Sequence, residues 1–147
     1  MDLKLQKLRS LTCLEWRLIV SSLIMLPVCA VRLRVQGFGK TRAAFIEKSF
    51  PASSLSAAEQ MQVARKAARA VDIAARFGPY RANCLKRSLV LTRCLHRMGI
   101  ENQLRLGADL VENELAAHAW VEHVGVVIND YKRVTKQFSP LLPGSNR

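Results

Sequence analysis

The sequence is poor in acidic and aromatic residues. Of its 147 residues, 11 are Asp or Glu and 23 are Lys or Arg, which gives a formal net charge of +12, and only 6% are aromatic. The basic residues are scattered over several predicted helices without aromatic residues between them, so the stacking surfaces typical of nucleic-acid binding are missing. We therefore expect no nucleic-acid partner. The charge fits either a solvated helix surface or attraction to an acidic partner or an anionic membrane.

The four cysteines never form a Cys-x-x-Cys pair, which argues against a structural zinc site. We expect no metal and no other cofactor. Half of the residues are hydrophobic, so a chain of this length can build a core without a disulfide framework, and a reducing cytoplasm is the expected location. Cys94 falls on an apolar helical stripe and is predicted to belong to the core.

The sequence also lacks an apolar run of the about 20 residues that a membrane span needs. The main candidate, residues 18–31, is shorter and contains Pro27, which should kink or end a helix. We interpret this segment as a buried or partner-facing helix. A signal sequence or a membrane anchor is the alternative, and a peripheral membrane contact stays open.

Two later helices are marked by their ends. Ser56 opens a capping box for an alanine-rich helix, which Gly78-Pro79 should end. The next helix should begin at Asn83 or Cys84, with Asn83 as its cap, and should end at Gly99 in a left-handed conformation.

The C-terminal third alternates between apolar and polar residues as strands do. Three strands are predicted, at residues 103–107, 116–122 and 126–130. An acidic loop is predicted at 109–114, between the first two strands. The expected fold class is α+β, with N-terminal helices packed on a small antiparallel sheet. We divide the chain into two regions, an apolar and basic helical region at residues 1–55 and a core at 56–147. The first region ends in a linker at 36–55 and is a candidate for partner docking.

Cys84 is the candidate nucleophile. At a helix start, unpaired backbone N–H groups and positive neighbours favour a thiolate, and the same N–H groups can stabilise an oxyanion. Asn83, beside it, is expected to line a substrate cleft. A cysteine in this position is otherwise an ordinary small residue, so its assignment depends on a base and an acid elsewhere in the chain.

His118 is the candidate base and Asp130 the candidate orienting acid. The run His123-Val124-Gly125 fits a three-residue hairpin turn with its glycine in the left-handed conformation. If Glu122 faces the first residue after this turn, His118 pairs with Asp130 across the hairpin, with Cβ atoms about 5 Å apart. A two-residue turn would instead move Asp130 to the other face of the sheet, and Glu122 and Asp109 are competing acids.

The predicted strand places His118, Trp120 and Glu122 on one face, which is too polar for a plain core. For His118 alone, the alternative is a core histidine bonded to a backbone carbonyl. Trp120 either lines the cleft or simply packs. His96 and His123 have no partner at ligand spacing, and we expect both on the surface.

Several motifs accompany these candidates in a fixed succession over residues 78–130. They are Cys84 followed by Ser88-Leu89, then Leu95, Arg97 and Gly99-Ile100, then Leu104-Arg105-Leu106-Gly107, and finally His118-Ala119-Trp120-Val121-Glu122 with Gly125. This succession resembles the transglutaminase-like leader peptidases of bacterial lasso-peptide biosynthesis, the microcin-processing family.

The resemblance implies a cysteine peptidase with a transglutaminase- or papain-like core, in which Cys84 is the nucleophile, His118 the general base and then acid, and Asp130 the orienting residue. Its substrate would be the leader segment of a ribosomally made precursor peptide, and a partner macrocyclase resembling asparagine synthetase would close the released peptide into a ring. The sequence of residues 1–55 does not have the pattern expected of the leader-recognition domain that some relatives carry. The resemblance therefore implies a separate leader-recognition protein.

Two other functions stay open. The same thiol, base and acid could pass an acyl group to an amine instead of water, which would make the protein a transferase. Alternatively, the site could be inactive and the chain a basic module that binds another protein or a membrane.

Overall fold

The computed structural model of the protein describes residues 11–47, 50–111, 113–129 and 139–140. They form three helices and four strands: α1 Cys13–Ile46, α2 Ala57–Phe77, α3 Cys84–Arg97, β1 Gln103–Val111, β2 Glu114–His123, β3 Val126–Val127 and β4 Ser139–Pro140. The strands pair antiparallel in the order β3-β2-β1-β4. The predicted α+β class, with helices packed on a small antiparallel sheet, is confirmed.

Helix α1 is longer than the sequence predicted. It begins at a capping box formed by Thr12 and Glu15, whose mutual hydrogen bonds lower the pKa of the Glu15 carboxyl. The helix continues past Pro27 and departs from helical dihedrals at Gly37, where φ is 77°. The hydroxyl of Thr41 donates a 2.8 Å hydrogen bond to the Gly37 carbonyl and so satisfies an acceptor at this break. The predicted linker at 36–55 is therefore wrong over 38–46, because the glycine bends the helix without ending it.

Helix α2 packs through a face of small residues. It begins at the predicted capping box, with Ser56 as its cap, and ends at Gly78. Its buried residues are Ala64, Ala67, Ala68, Ala70, Val71, Ala74 and Ala75. These short side chains allow a close approach to the neighbouring helices. A Cβ at position 78 would collide with the backbone carbonyl of Ala74 and would lie 2.6 Å from the Leu23 side chain of α1, so glycine is required here.

Helix α3 lies at the centre of the fold, in contact with α1, α2 and the sheet. Asn83 caps its start, as predicted, and Gly99 ends it with a φ of 69°. The Ile100 N–H donates to the Leu95 carbonyl, which completes the cap. The segment before α2 packs on this end, since the Ser53 N–H donates to the Gly99 carbonyl and a Cβ on Gly99 would collide with Pro51.

The β1–β2 hairpin extends through the segment predicted as an acidic loop. Val111 pairs with Glu114, and Asn113, just before Glu114, has a φ of 68°. Leu110 and Leu115, beside this pair, are strongly exposed. The apolar pattern therefore could not mark the strand ends, because this part of the hairpin projects from the core.

The β2–β3 turn contradicts the predicted register. His123 pairs with Val126 and Glu122 with Val127, so the turn consists of Val124 and Gly125 alone, with φ values of 50° and 74°. Two consecutive positive φ values define a type I′ turn. A β-branched residue rarely adopts this conformation, and the predicted three-residue turn placed only Gly125 in the left-handed region. Val124 is 80% exposed, so its side chain meets no obstacle there.

Asp130 lies outside the described residues, and its role stays a prediction. The register argument that placed it opposite His118 does not hold, because the shorter turn shifts the pairing by one residue. The hydrogen bonding to β2 changes just before this position. The Ile128 N–H still donates to the Val121 carbonyl, but the Val121 N–H donates to the side chain of Asn129 instead of a backbone carbonyl.

The hydrophobic core is shared by all three helices and the sheet. From α1 it includes Leu18, Ile19, Leu26, Cys29 and Phe45. From α3 it includes Leu89, Val90, Leu91, Cys94 and Leu95, and from β2 it includes Val121. The described part of the N-terminal region thus packs against the same core as α2 and α3. The docking role assigned to residues 1–55 stays a prediction.

Candidate active site

Cys84 is the first residue of α3, as predicted. The Asn83 side chain accepts a 3.1 Å hydrogen bond from the Lys86 N–H and so fixes the beginning of the helix. Cys84 is half-buried and not bonded to another cysteine. Because the helix starts here, the positive end of its dipole lies at the sulfur-bearing residue.

His118 lies near the middle of β2, and its ring is held by a row of side chains along one face of the strand. The ring stacks on that of Trp120, with centroids 6.4 Å apart. The Trp120 indole N–H donates to Glu122 at 2.9 Å, and the second oxygen of Glu122 accepts from Arg105 at 3.1 Å. This row explains the polar face of the predicted strand: Glu122 orients the tryptophan, and the tryptophan supports the imidazole.

Cys84 and His118 line the same cleft. Its volume is about 270 Å³. The apolar part of its lining comes from α2 and α3, through Ala68, Val71 and Leu91. Asn83 also lines it, whereas Trp120 is buried and lies outside the described lining. The cleft therefore brings together a thiol, an imidazole and an apolar wall, a combination suited to nucleophilic chemistry on a bound substrate.

A hydrogen-bonded clamp joins the cysteine helix to the histidine strand. Ser88, one turn after Cys84, is fully buried and donates a 3.0 Å hydrogen bond to the Ala119 carbonyl. The Asn129 side chain donates to the Ser88 hydroxyl at 2.8 Å and accepts from the Val121 N–H at 2.8 Å. These contacts bridge α3, β2 and the segment after β3, and we expect them to set the spacing between the two candidate catalytic groups. We call Ser88 and Asn129 the clamp.

One side of the cleft is charged. Arg87 donates to Asp72 of α2 at 3.0 Å and to the Ala82 carbonyl at 2.9 Å. Asp72 also pairs with Arg76. The contact with Ala82 ties the loop before Cys84 to the helix that follows it. Because the pair is partly exposed, we expect it to contribute about 1 kcal/mol or less to stability.

The other described cysteines have different surroundings. Cys29 and Cys94 are buried, and burial raises the pKa of each thiol to about 11. The prediction that Cys94 belongs to the core is confirmed. Cys13 is exposed, at the start of α1. Cys84 is thus the thiol that the structure places in the cleft.

Both remaining histidines were expected on the surface, but His123 is buried and His96 is half-buried. His123 is buried, and its Nδ1 lies 2.6 Å from the Glu101 carbonyl. The Nε2 of His96 is buried without a hydrogen-bond partner among the described residues, and burial, followed by the charge of Arg93, lowers the pKa of this imidazole. Neither belongs to the described lining of the cleft. The sequence missed this because both lie beside turns, where exposure is the usual outcome.

In the described ranges, no group of three His, Cys, Asp or Glu side chains is arranged to hold a metal ion. The residues that line the cleft offer a thiol, an imidazole, amides and one carboxylate already paired with arginines.

The comparison with known families agrees with this geometry. A model of the family described as the transglutaminase-like superfamily matches residues 23–143. The chain belongs to the transglutaminase-like superfamily. This superfamily includes cysteine peptidases and acyltransferases, so the match supports a thiol-dependent enzyme in general. No curated protein and no solved structure shows a significant match to the chain.

The superfamily match spans the cysteine helix, the histidine strand and position 130. The sequence predicted Cys84 and His118, which the structure brings to one cleft. It did not predict the clamp or the Asp72–Arg87 pair. A weak signal existed for Ser88, because it lies four residues after Cys84 on the same face of the helix. For Asn129 and Asp72 there was no local signal, since their partners come from distant parts of the chain.

Proposed function

We propose that this protein is a cysteine peptidase that removes the leader peptide from a ribosomally made lasso-peptide precursor. The observation that carries the proposal is the shared cleft, in which Cys84 at a helix start faces the same space as His118. Membership of the transglutaminase-like superfamily supports the reaction class. The leader-peptidase assignment rests on the motif succession at residues 78–130, above all on His118-Ala119-Trp120-Val121-Glu122.

In the proposed reaction, His118 takes the proton of the Cys84 thiol, and the sulfur attacks the carbonyl carbon at the leader–core junction. The oxyanion forms beside the start of α3, where the Cys84 N–H is the donor we propose. His118 then gives its proton to the departing core amine, which leaves a thioester between Cys84 and the leader. Water attacks this thioester with His118 again as the base, and the leader acid and the free thiol are released.

Asp130 is the proposed orienting acid for His118. The case for it is its place in the Cys–His–Asp order of the chain and the motif resemblance. The row of Trp120, Glu122 and Arg105 contributes a second restraint on the imidazole, since the ring stacks directly on the indole. The orientation of His118 would then depend on both groups.

The proposed partners are a separate leader-recognition protein that delivers the precursor and an asparagine-synthetase-like macrocyclase that receives the core peptide. We place this assembly in the cytoplasm, where the free thiol of Cys84 stays reduced. A cleft of this volume holds only a few residues of an extended peptide, so the rest of the leader needs another binding surface. A recognition protein would supply it.

Precursor cleavage tests this function. The purified chain is incubated with the precursor peptide and recognition protein encoded beside its gene, and the products are measured by mass spectrometry. Cys84→Ala should abolish cleavage while the protein keeps its thermal unfolding transition. Cys13→Ala is the matched control, because Cys13 is an exposed free cysteine outside the described cleft, and it should cleave at the normal rate.

Two outcomes would contradict the proposal. Normal cleavage by Cys84→Ala would show that the thiol is not the nucleophile. Transfer of the leader to an added amine in preference to water would identify an acyltransferase that uses the same thiol and imidazole. A leader carboxylic acid as the product, with a thioester trapped on Cys84 in short incubations, would support the peptidase.

A further inference from the structure

Helix α1 is apolar on both sides, although only one side is buried. Its inner side contributes to the hydrophobic core. Six large apolar side chains on its outer side are 46–75% exposed: Trp16, Val20, Ile24, Val28, Val31 and Val35. We call this set the outer stripe. A helix that is hydrophobic all round normally has neighbours all round, so the outer stripe lacks a partner among the described residues.

The outer stripe is continuous. Its members follow each other at intervals of three or four residues, which is the spacing of one helix face. From Trp16 to Val35 it extends for about 28 Å at about 1.5 Å per residue. It ends just before Gly37, where the helix changes direction. By length and composition, α1 is also the one helix in the described ranges that could cross a membrane.

The charged residues near the stripe are almost all basic. Within residues 13–46 there are five Lys or Arg residues and one acidic residue, Glu15, which is buried and bonded to Thr12. Arg17 lies at the beginning of the stripe. Near its end, Arg32 and Arg34 lie on opposite sides of it, since at about 100° per residue they are rotated by about 160° from each other.

Arg93 and Arg97 lie one turn apart on α3, and the charge of Arg32 acts on Arg93. Burial lowers the pKa of Arg93, and the positive charges of Arg97 and Arg32 lower it further. The Nη1 atom of Arg93 is buried without a hydrogen-bond partner, and within the described part of the chain none of the three arginines forms a salt bridge. We call Arg32, Arg93 and Arg97 the arginine cluster. Arg97 is exposed and Arg32 half-buried, so these two guanidinium groups, which have no carboxylate partner in the described ranges, are available to phosphate oxygens.

We propose that α1 lies along the surface of an anionic phospholipid membrane, with the outer stripe in the interfacial layer and the arginine cluster on lipid phosphates. An apolar helix face with basic flanks is the pattern of helices that lie in the membrane interface. The indole of Trp16 at one end of the stripe is suited to the headgroup level. A nucleic acid would match the arginines but not a 28 Å apolar face.

This orientation leaves the candidate active site accessible. The described lining of the cleft comes from α2, α3, the loop before α3, β2 and Asn129, and none of it from α1. A soluble peptide could therefore reach Cys84 while the outer stripe is covered by lipid. The inference does not depend on the proposed peptidase activity, and it is tested without measuring that activity.

Vesicle co-sedimentation tests the proposal. The purified full chain is mixed with vesicles of phosphatidylcholine alone or of phosphatidylcholine with phosphatidylglycerol, and the bound fraction is measured at low and high salt. We expect binding to the anionic vesicles, weak binding to the neutral ones, and a loss of affinity as salt rises. Equal binding to the neutral and the anionic vesicles, or no binding to either, would overturn the proposal.

Two pairs of variants separate the parts of the surface. Ile24→Glu with Val31→Glu changes two residues that are each 62% exposed and should abolish vesicle binding; Leu115→Glu with Val124→Glu, on the sheet, is the control and should not. Arg32→Gln with Arg97→Gln should weaken binding by at least about tenfold, since each basic residue at the surface contributes severalfold. Arg65→Gln with Arg81→Gln removes the same charge from other exposed positions and should have a smaller effect.

Other results would assign the outer stripe to another partner. If the wild type forms an oligomer that Ile24→Glu with Val31→Glu dissociates, and vesicles are not bound, a second copy of the chain covers the stripe. If the bound protein resists washing with alkaline carbonate, α1 crosses the bilayer. If both arginine pairs weaken binding equally, the arginine cluster is not a lipid site. Each of these results contradicts the proposal.

Discussion

Helix α3 carries two cysteines, ten residues apart, in opposite surroundings. Cys84 is at the open end of the helix, half-buried, and faces a cleft with His118. Cys94 is inside the core, where burial raises the pKa of its thiol to about 11. The same residue type on the same helix is thus suited to nucleophilic chemistry at one position and to packing at the other. What differs is access to a base and to water.

The comparison also shows how the two environments are joined. Ser88 lies on α3 between the two cysteines and belongs to the clamp that binds the helix to β2. The core residues around Cys94 hold α3 against α1 and α2, and the clamp holds it against the histidine strand. One helix therefore packs into the core and, through the clamp, contacts the strand that carries His118.

The largest effect should come from His118. In His118→Gln, the side chain keeps its polarity but loses the base, so precursor cleavage should fall by about 100- to 10,000-fold while the unfolding temperature changes little. The rate of leader release, measured by mass spectrometry, checks this. His96→Gln is the control, because it removes a histidine that is outside the described cleft. Equal losses in both variants would indicate a general effect of histidine removal and not the loss of a base.

The clamp should give the next largest effect. Asn129→Ala removes the hydrogen bonds to Ser88 and to the Val121 N–H, so we expect a stability loss of about 2 kcal/mol and a fall in kcat of roughly tenfold or more with a smaller change in KM. Asn129→Asp keeps the acceptor for Val121 and should recover part of the kcat. Steady-state kinetics and denaturant unfolding on the same preparations check both expectations.

Leu95→Ala is the control for a purely structural role. Leu95 is fully buried in the core, and its truncation should cost about 2–5 kcal/mol without changing the kcat of the folded protein. If Asn129→Ala behaves like Leu95→Ala, with a stability loss and an unchanged kcat, the clamp supports the fold but does not set the spacing of Cys84 and His118. A double variant with Ser88→Ala should lose less than the sum of the single losses, because the two residues share a hydrogen bond.

The sequence was most informative where a short segment decides its own conformation. The capping box at Ser56, the Asn83 cap and the Gly99 stop are each defined by a few neighbouring residues, and the structure has all three. The same local reasoning was wrong at Gly37 and at Val124. A linker was predicted at 36–55, although the helix resumes after Gly37, and a three-residue turn was predicted at 123–125, although the turn has two residues with Val124 at a positive φ.

In the candidate site, too, some residues could be predicted from local sequence and others could not. Cys84 and His118 could be predicted because the residue before the cysteine is a helix cap and the residues around the histidine form a strand. Asn129 could not, because its bond to Ser88 joins residues 41 positions apart. It also takes the place of a ladder hydrogen bond, which no strand pattern predicts. Nor could the hairpin pattern predict the register near Asp130, since one turn residue more or less shifts every later pair.

The smallest effect concerns the thiol in the core. The pKa of Cys94 is raised by burial from 9.0 to about 11, so the folded protein keeps this proton more tightly than the unfolded chain does. Its contribution to stability is complete below pH 9 and is lost as the pH rises through about 11. At pH 11 the loss should be roughly 2 kcal/mol, which is the free energy of keeping a buried thiol neutral when the unfolded chain would ionise it.

Denaturant unfolding of the wild type and of Cys94→Ala from pH 8 to pH 11 measures this contribution. The variant should be less stable at pH 8, because it leaves a small cavity, and the difference should shrink toward pH 11 as the wild type loses the Cys94 contribution. Lysine, tyrosine and Cys29 titrate in both proteins, so they cancel in the comparison. A difference that stays constant over this range would mean that the Cys94 thiol ionises as readily in the folded protein as in the unfolded chain. The contrast between the two cysteines of α3 would then lie only in the access of Cys84 to the cleft, and burial would not account for the inertness of Cys94.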